Sequence, residues 1–130
     1  MTALYSQVIL DHFRHPRNYG SLPASDITYE DLNPLCGDRI RIELQLLNDL
    51  VESARFKGDG CAISIAAASL LTELVVGSTL KEIESLSIDT LLEALESDIQ
   101  PVRLQCALLP LDVLRQGVRN FRLLLAASEK

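Results

Sequence analysis

Three cysteines carry most of the chemical potential of this 130-residue chain: Cys36, Cys61 and Cys106. Cys36 lies in "NPLCGD", with Asp38 close behind it, and Cys61 directly follows Gly58-Asp59-Gly60. A thiolate is a soft donor and a nucleophile, whereas a carboxylate is a hard oxygen donor. Zinc takes both in a tetrahedral site, and so does iron. An oxygen ligand holds a cluster iron less firmly than a further sulfur would. Three thiolates with Asp38 therefore suit a site that gives up what it binds. The alternative for each cysteine is a small buried core residue, and for Asp38 a turn residue after Gly37.

Cys61 stands where a turn hands over to the apolar, alanine-rich run "CAISIAAASLL". The N-terminus of a helix presents unpaired N–H groups and a positive dipole end, and both stabilise a thiolate. Gly58 and Gly60 are expected to let the backbone turn sharply and to leave room beside the sulfur. His12 and His15 have a spacing seen in metal sites, but the adjoining Pro16-Arg17-Asn18 reads as a connector. A nucleotide-binding glycine loop, a Gly-x-Ser-x-Gly elbow and a carboxylate pair suited to hydrolysis are all missing.

The elements that must position these residues follow from periodicity. Residues 3 to 14 predict a first helix, with Leu4, Tyr5, Val8, Ile9 and Phe13 on one side, Thr2 as cap and an end near His15, before Pro16. "RIRIELQLL" alternates as a strand, Asn48-Asp49 turns, and "LVESARFK" returns, which makes a hairpin; a weaker strand spans 27 to 32. A buried helix is expected from Cys61 to Val76, stopped at Gly77. Thr79 and Glu82 form a capping box for a short helix, and Ser87 or Asp89 opens another that ends near Leu95. The last helix is expected from about Cys106 to Ala127, with Pro110 in or near its first turn and Leu111, Leu114, Val118, Phe121 and Leu125 on one stripe. The order predicts a single α+β domain over residues 1 to 130: a three-stranded antiparallel sheet with helices packed on one face. Hairpin geometry brings Cys36 and Cys61 to the same end of that sheet. Whether Cys106 joins them depends on how the last helix packs.

Bulk properties narrow the class. With 48% apolar and 23% charged residues the chain is expected to fold, and its length suffices for a core without staples. A net charge of −6 argues against a nucleic-acid surface and against anionic membrane binding. No apolar segment reaches membrane-spanning length, and the N-terminus lacks the marks of a signal peptide, so a cytoplasmic location is expected. An odd number of widely spaced cysteines there points to free thiols or metal ligands.

The residues resemble the iron–sulfur cluster assembly scaffold family of the IscU, SufU and NifU N-terminal type. "LYSQVILDHFRHPRNYG" resembles its N-terminal helix and turn, and "NPLCGDRI", "FKGDGCAISIAAASLLTELVVGSTLKEI" and "PVRLQCALLPLDVLRQGV" its three cysteine motifs, in order. The resemblance implies the SufE/NifU-like fold, a three-stranded antiparallel sheet with helices on one side. It implies that Cys36, Asp38, Cys61 and Cys106 hold a transient [2Fe–2S] cluster, iron, or zinc in the same site, with Asp38 the labile ligand. It further implies that a cysteine, Cys106 or Cys61, accepts persulfide sulfur from a cysteine desulfurase, and that apo iron–sulfur proteins receive the product. IscU-type members carry histidine where this chain has Gln105. They carry a Leu-Pro-Pro-Val-Lys chaperone motif where it has Ile99-Gln100-Pro101-Val102-Arg103, which argues against a dedicated chaperone. The motifs lean toward SufU, yet the SufU insertion between the second and third cysteines is missing. Two functions follow from the resemblance: a cluster scaffold, favoured by the missing insertion, and a zinc-dependent sulfurtransferase. A zinc-stabilised interaction domain ranks third.

Overall fold

A computed structural model describes residues 5–34 and 37–128, apart from the side chain of Val102. Three strands, β1 (Ile27–Leu32), β2 (Arg39–Leu47) and β3 (Leu50–Asp59), form one antiparallel sheet in the order β1-β2-β3. The β2–β3 turn is tight because Asn48 and Asp49 both adopt positive φ, 53° and 66°, which matches the twist of a hairpin. Ile40, Ile42 and Leu44 on β2 and Ala54 and Phe56 on β3 are buried, as alternation requires.

The helices are α1 (Gln7–Arg14), α2 (Ala62–Val75), α3 (Leu80–Glu84), α4 (Ile88–Leu95) and α5 (Pro101–Ser128). α2 is buried on most of its circumference, from Ile63 to Val75, and meets β3, α1, α4 and α5. Its alanines, Ala66, Ala67 and Ala68, let these neighbours approach closely. Gly77 follows the end of α2 at φ 88°, the left-handed stop expected of it. The Thr79–Glu82 capping box is formed, and Ser87 rather than Asp89 caps α4. No helix of the described residues is long and apolar enough to cross a membrane.

Three features differ from the sequence reading. α1 begins at Gln7 with Ser6 as its cap, its hydroxyl accepting the Ile9 N–H at 3.2 Å. The expected cap Thr2 and the stripe residue Leu4 lie outside the described residues. The buried face of α1 is carried by Ile9 and His12, and Phe13 is exposed. α5 starts at Pro101, five residues before Cys106. Pro101 takes the first helical position, where its fixed φ helps and its missing N–H costs nothing. Pro110 therefore falls inside the helix, which ordinarily costs about 3 kcal/mol. Leu111, Leu114 and Val118 are buried as expected, whereas Leu125 is exposed because the last turns of α5 extend past the core.

The outer face of the sheet is not simply polar. The connector after α1 pairs with the edge of β3 through Phe56 N–H to the Asn18 carbonyl at 3.0 Å and Gly20 N–H to the Phe56 carbonyl at 2.9 Å. It then passes Glu43, whose carboxylate accepts the Leu22 N–H at 2.9 Å and pairs with Arg41. Burial pushes Glu43 up, but the Leu22 N–H and Arg41 outweigh it and hold it below the usual range.

Candidate metal centre

Each side chain of the centre is delivered by a different element. Cys61 is the residue before the first turn of α2, in extended backbone at φ −72° and ψ 170°, and its side chain makes no capping hydrogen bond. The sulfur is thus left available at a helix N-terminus, and Cys61 is half-buried. Asp38 enters from the loop before β2 and is only 5% exposed. That loop is closed on itself: Asn33 N–H donates to the Asp38 carbonyl at 2.8 Å and Gly37 N–H to the Asn33 carbonyl at 2.7 Å. Gly37, at φ 77°, makes the turn that this closure needs. Cys106 comes from the second turn of α5 and is 7% exposed. The packing of α5 onto α2 and the sheet therefore brings the third cysteine to the same end as Cys61.

One ligand atom from each of Asp38, Cys61 and Cys106 lies within 4.8 Å of the other two. A tetrahedral ion with bonds of about 2.0–2.3 Å needs its ligand atoms roughly 3.3–3.8 Å apart. The three groups would close by about an ångström around an ion. Two thiols and a carboxylate are a donor set that zinc and iron both accept, so the residues present fit either. Cys36 lies outside the described residues. Its neighbour Gly37 belongs to the loop that carries Asp38.

Ser64 is the residue that sequence reasoning missed. It lies one turn into α2, is fully buried, and its hydroxyl hydrogen-bonds the Asp38 carboxylate. The same oxygen is 3.1 Å from the Cys106 carbonyl and 3.7 Å from the Cys61 sulfur. The signal was present: Cys61 and Ser64 are at i and i+3, which stacks them on one helix face. Pro110 was misread with it. Having no N–H, Pro110 cannot donate to the carbonyl four residues back, which is that of Cys106.

The two glycines before Cys61 act differently from expectation. Neither adopts positive φ. A side chain on Gly58 would meet the Arg39 carbonyl oxygen at 2.2 Å, so this glycine admits the backbone of β2. A Cβ on Gly60 would meet Asp38 Cγ at 2.9 Å and Oδ1 at 3.0 Å. Gly60 thus makes room for the carboxylate.

Gln105 faces the loop: its amide oxygen accepts from Asn33 Nδ2 at 3.2 Å. The histidines stand apart from the centre. His12 is buried against α2, with Nδ1 2.7 Å from Ser69 Oγ and Nε2 3.5 Å from Glu73. Burial, and then Arg17, hold its pKa below the usual histidine value. His15 ends α1, its backbone N–H donating to the Asp11 carbonyl at 2.8 Å.

The chain is similar to a protein of Bacillus subtilis (strain 168) named zinc-dependent sulfurtransferase SufU, with 38% identity over 135 residues and 91% of each chain covered. It is 33% identical over 122 residues to the iron–sulfur cluster assembly scaffold protein IscU of Buchnera aphidicola, covering 91% of this chain and 94% of that one. Its fold matches the crystal structure of a scaffold protein for the SUF system from Fervidobacterium islandicum AW-1, with a TM-score of 0.73 at 24% identity over 88% of this chain and 96% of the other. Each of these matches covers most of this chain. Residues 4–126 match the NifU-like N terminal domain, and the chain belongs to that family.

Proposed function

We propose that this chain is a cytoplasmic, single-domain iron–sulfur cluster assembly scaffold. It accepts iron and sulfur delivered by a cysteine desulfurase, builds a transient [2Fe–2S] cluster as its cargo, and passes the cluster to apo-proteins. Cys36, Asp38, Cys61 and Cys106 are its ligands. The observation that carries this reading is the convergence of Asp38, Cys61 and Cys106 from three separate elements on one point. The fold supplies the ligands, and Asp38 supplies the weak link. A hard oxygen among sulfurs leaves an iron more easily, and Ser64 stands beside it to receive its charge.

A second reading is favoured by the similarity to the Bacillus subtilis sulfurtransferase. In it zinc would be the resident ion, held by the same residues, and would supply Lewis acidity that keeps thiols ionised. A Cys61 or Cys106 thiolate attacks the outer sulfur of the desulfurase persulfide, the S–S bond breaks, and the desulfurase leaves as a thiolate. Cys61, the more exposed of the two, is the better placed acceptor. A structural zinc role is disfavoured, because the core, which runs from Ile9 to Val118 and takes in Cys106, is large enough to fold without metal.

Anaerobic reconstitution decides between these. Metal-stripped protein is given ferrous iron, cysteine and a cysteine desulfurase, and visible absorption is read with acid-labile sulfide. Charge-transfer bands with matching sulfide, lost in Cys61→Ser, are expected for the scaffold. Faster desulfurase turnover with zinc-loaded protein and no cluster would establish sulfur transfer instead. Asp38→Ala should lengthen the life of a bound cluster. An equally short life would remove Asp38 from the release step. Removing zinc should leave the far-UV circular dichroism unchanged, and its collapse would restore the structural-zinc role.

A further inference from the structure

The two edges of the sheet differ. On β3, Tyr19 pairs with Phe56 and Thr79 with Leu50, so that edge is covered at two places. β1 pairs with β2 alone, and among the described residues nothing pairs with its other edge. An open edge is a row of unpaired N–H and C=O groups and a template for a further strand. Beside it lies a groove of about 690 Å³, walled by Tyr29 and Asp31 of β1, Glu84 of α3, and Asp112, Arg115 and Arg119 of α5. Its size falls within the range of ligand clefts, about 300–1,000 Å³.

Most of its charges already have partners. Arg115 donates to the Asp112 carboxylate and to the Leu86 carbonyl, each at 2.9 Å, and Glu84 pairs with Arg122. Two charges of opposite sign remain. The Arg119 guanidinium has no hydrogen-bond or ion-pair partner among the described residues. The Asp31 carboxylate accepts only the N–H of its own neighbour Leu32, at 2.8 Å. α5 runs antiparallel to β1: Gln105 meets Asn33, and a Cβ on Gly117 would lie 3.0 Å from that of Tyr29 and 3.3 Å from Ile27 Cγ2. Arg119 therefore stands toward the Ile27 end of the groove and Asp31 toward the Leu32 end.

We propose that this groove receives an extended peptide segment of another protein, which adds to β1 as a fourth strand and carries a basic side chain to Asp31 and an acidic one to Arg119. Main-chain hydrogen bonds to the open edge supply attachment, and the two charges set direction and register. A second copy of this chain is a poor occupant. Antiparallel pairing of β1 with itself about residue 30 or 31 sets Glu30 against Glu30 or Asp31 against Asp31, and like charges directly opposite are destabilising. None of the groove residues belongs to the metal centre, so the segment can bind whatever the centre holds.

The probe is the peptide Thr-Lys-Val-Thr-Val-Glu-Thr, acetylated and amidated at its ends, titrated into the full chain and followed by NMR. Laid antiparallel to β1, it turns Lys, the central Thr and Glu to one side, with Lys at Asp31 and Glu at Arg119. Binding with a Kd below about 1 mM is expected, with shifts confined to Ile27–Leu32 and the facing turns of α5. Arg119→Glu should weaken binding about tenfold or more, and replacing the peptide's Glu by Lys should restore it. Arg119 is exposed, so this variant is expected to fold. Alternate N–H groups of a strand point to opposite edges, so of two peptides N-methylated on alternate residues one should bind and the other should fail. No shifts at about 5 mM peptide, well above that Kd, would overturn the site. Binding that Arg119→Glu leaves unchanged, or that the exchanged charge does not restore, would overturn the assignment of the acidic side chain. If both methylated peptides bind, or neither does, strand addition is wrong. Sedimentation showing a dimer whose formation shifts β1 would give the edge to a second copy and overturn the peptide as its occupant.

Discussion

α2 carries two fully buried serines, Ser64 near its start and Ser69 in its middle, and they do opposite work. Ser69 Oγ accepts the Arg17 backbone N–H at 2.8 Å and meets His12 Nδ1 at 2.7 Å. The Arg17 backbone N–H reaches it, and the hydroxyl and the imidazole nitrogen partner each other. Thr72, one turn further on, repeats the arrangement by accepting from Asn18 Nδ2 at 3.1 Å. Together they dock α1 and the connector onto α2. Ser64, by contrast, has more acceptors than protons and sits among groups that can bind metal. A satisfied buried hydroxyl fixes a structure, and one shared between acceptors permits a choice.

The comparison breaks most visibly at Ser69. Ser69→Ala leaves the Arg17 N–H and one imidazole nitrogen without a partner, and each such loss costs about 1–3 kcal/mol. Thermal unfolding of the metal-free variant should drop by roughly 10 °C, with cobalt affinity changed less than about twofold. A parallel loss of affinity would mean that the two serines are coupled through α2, and the contrast would fail. Gly60→Ala should show the converse pattern. The added Cβ lies 2.9 Å from Asp38 Cγ and must displace it. Metal affinity should fall more than about tenfold, as for loss of an outer partner, with a smaller loss of stability than in Ser69→Ala. Affinity at wild-type level would show that Asp38 has no fixed place to lose.

Acid sharpens the same contrast. His12 is held below the ordinary histidine pKa by burial and then by Arg17, with Glu73 pulling the other way. The unfolded chain therefore takes up this proton at a higher pH than the folded one. The stability that His12 contributes should be complete above the unfolded value of about 6.5 and decline as the pH falls from there toward the lower folded value. Urea unfolding across that interval measures the slope, and His12→Gln should flatten it. An unchanged slope would place the acid sensitivity elsewhere.

Much of this architecture was legible in the sequence because local rules determined it. Alternation along Arg39–Leu47 placed β2, Thr79 and Glu82 announced α3, and Gly77 ended α2. Asp38, Cys61 and Cys106 were legible as candidate ligands, but not the packing of α5 that brings Cys106 to Cys61. The errors arose where a residue serves a neighbour distant in sequence. Gly60 reads in the sequence as a turn residue beside the sulfur, and in the fold it also gives space to Asp38. Pro110 looked like a helix start because an interior proline is unfavourable locally, and α5 instead opens at Pro101. His12 reads in the sequence as part of the approach to a connector, and in the fold it pegs α1 to α2.

The smallest effect is expected at Gln105, and it tests whether the loop bearing Asp38 is itself held. Gln105 Oε1 accepts from the side chain of Asn33, whose backbone N–H and carbonyl close the loop around Gly37 and Asp38. Gln105 is exposed and Asn33 half-buried, so the bond is worth no more than about 0.5–1 kcal/mol. Gln105→Ala should leave thermal unfolding within about 5 °C of wild type. The same energy biases the loop toward its closed form, so cobalt release to a chelator should quicken about two- to fivefold. Gln105→Glu retains an oxygen acceptor for Asn33 Nδ2 and should release at the wild-type rate. If Gln105→Ala releases no faster, the backbone bonds of Asn33 suffice to hold Asp38. If both variants quicken release alike, the effect lies in α5 near Cys106 and not in the loop.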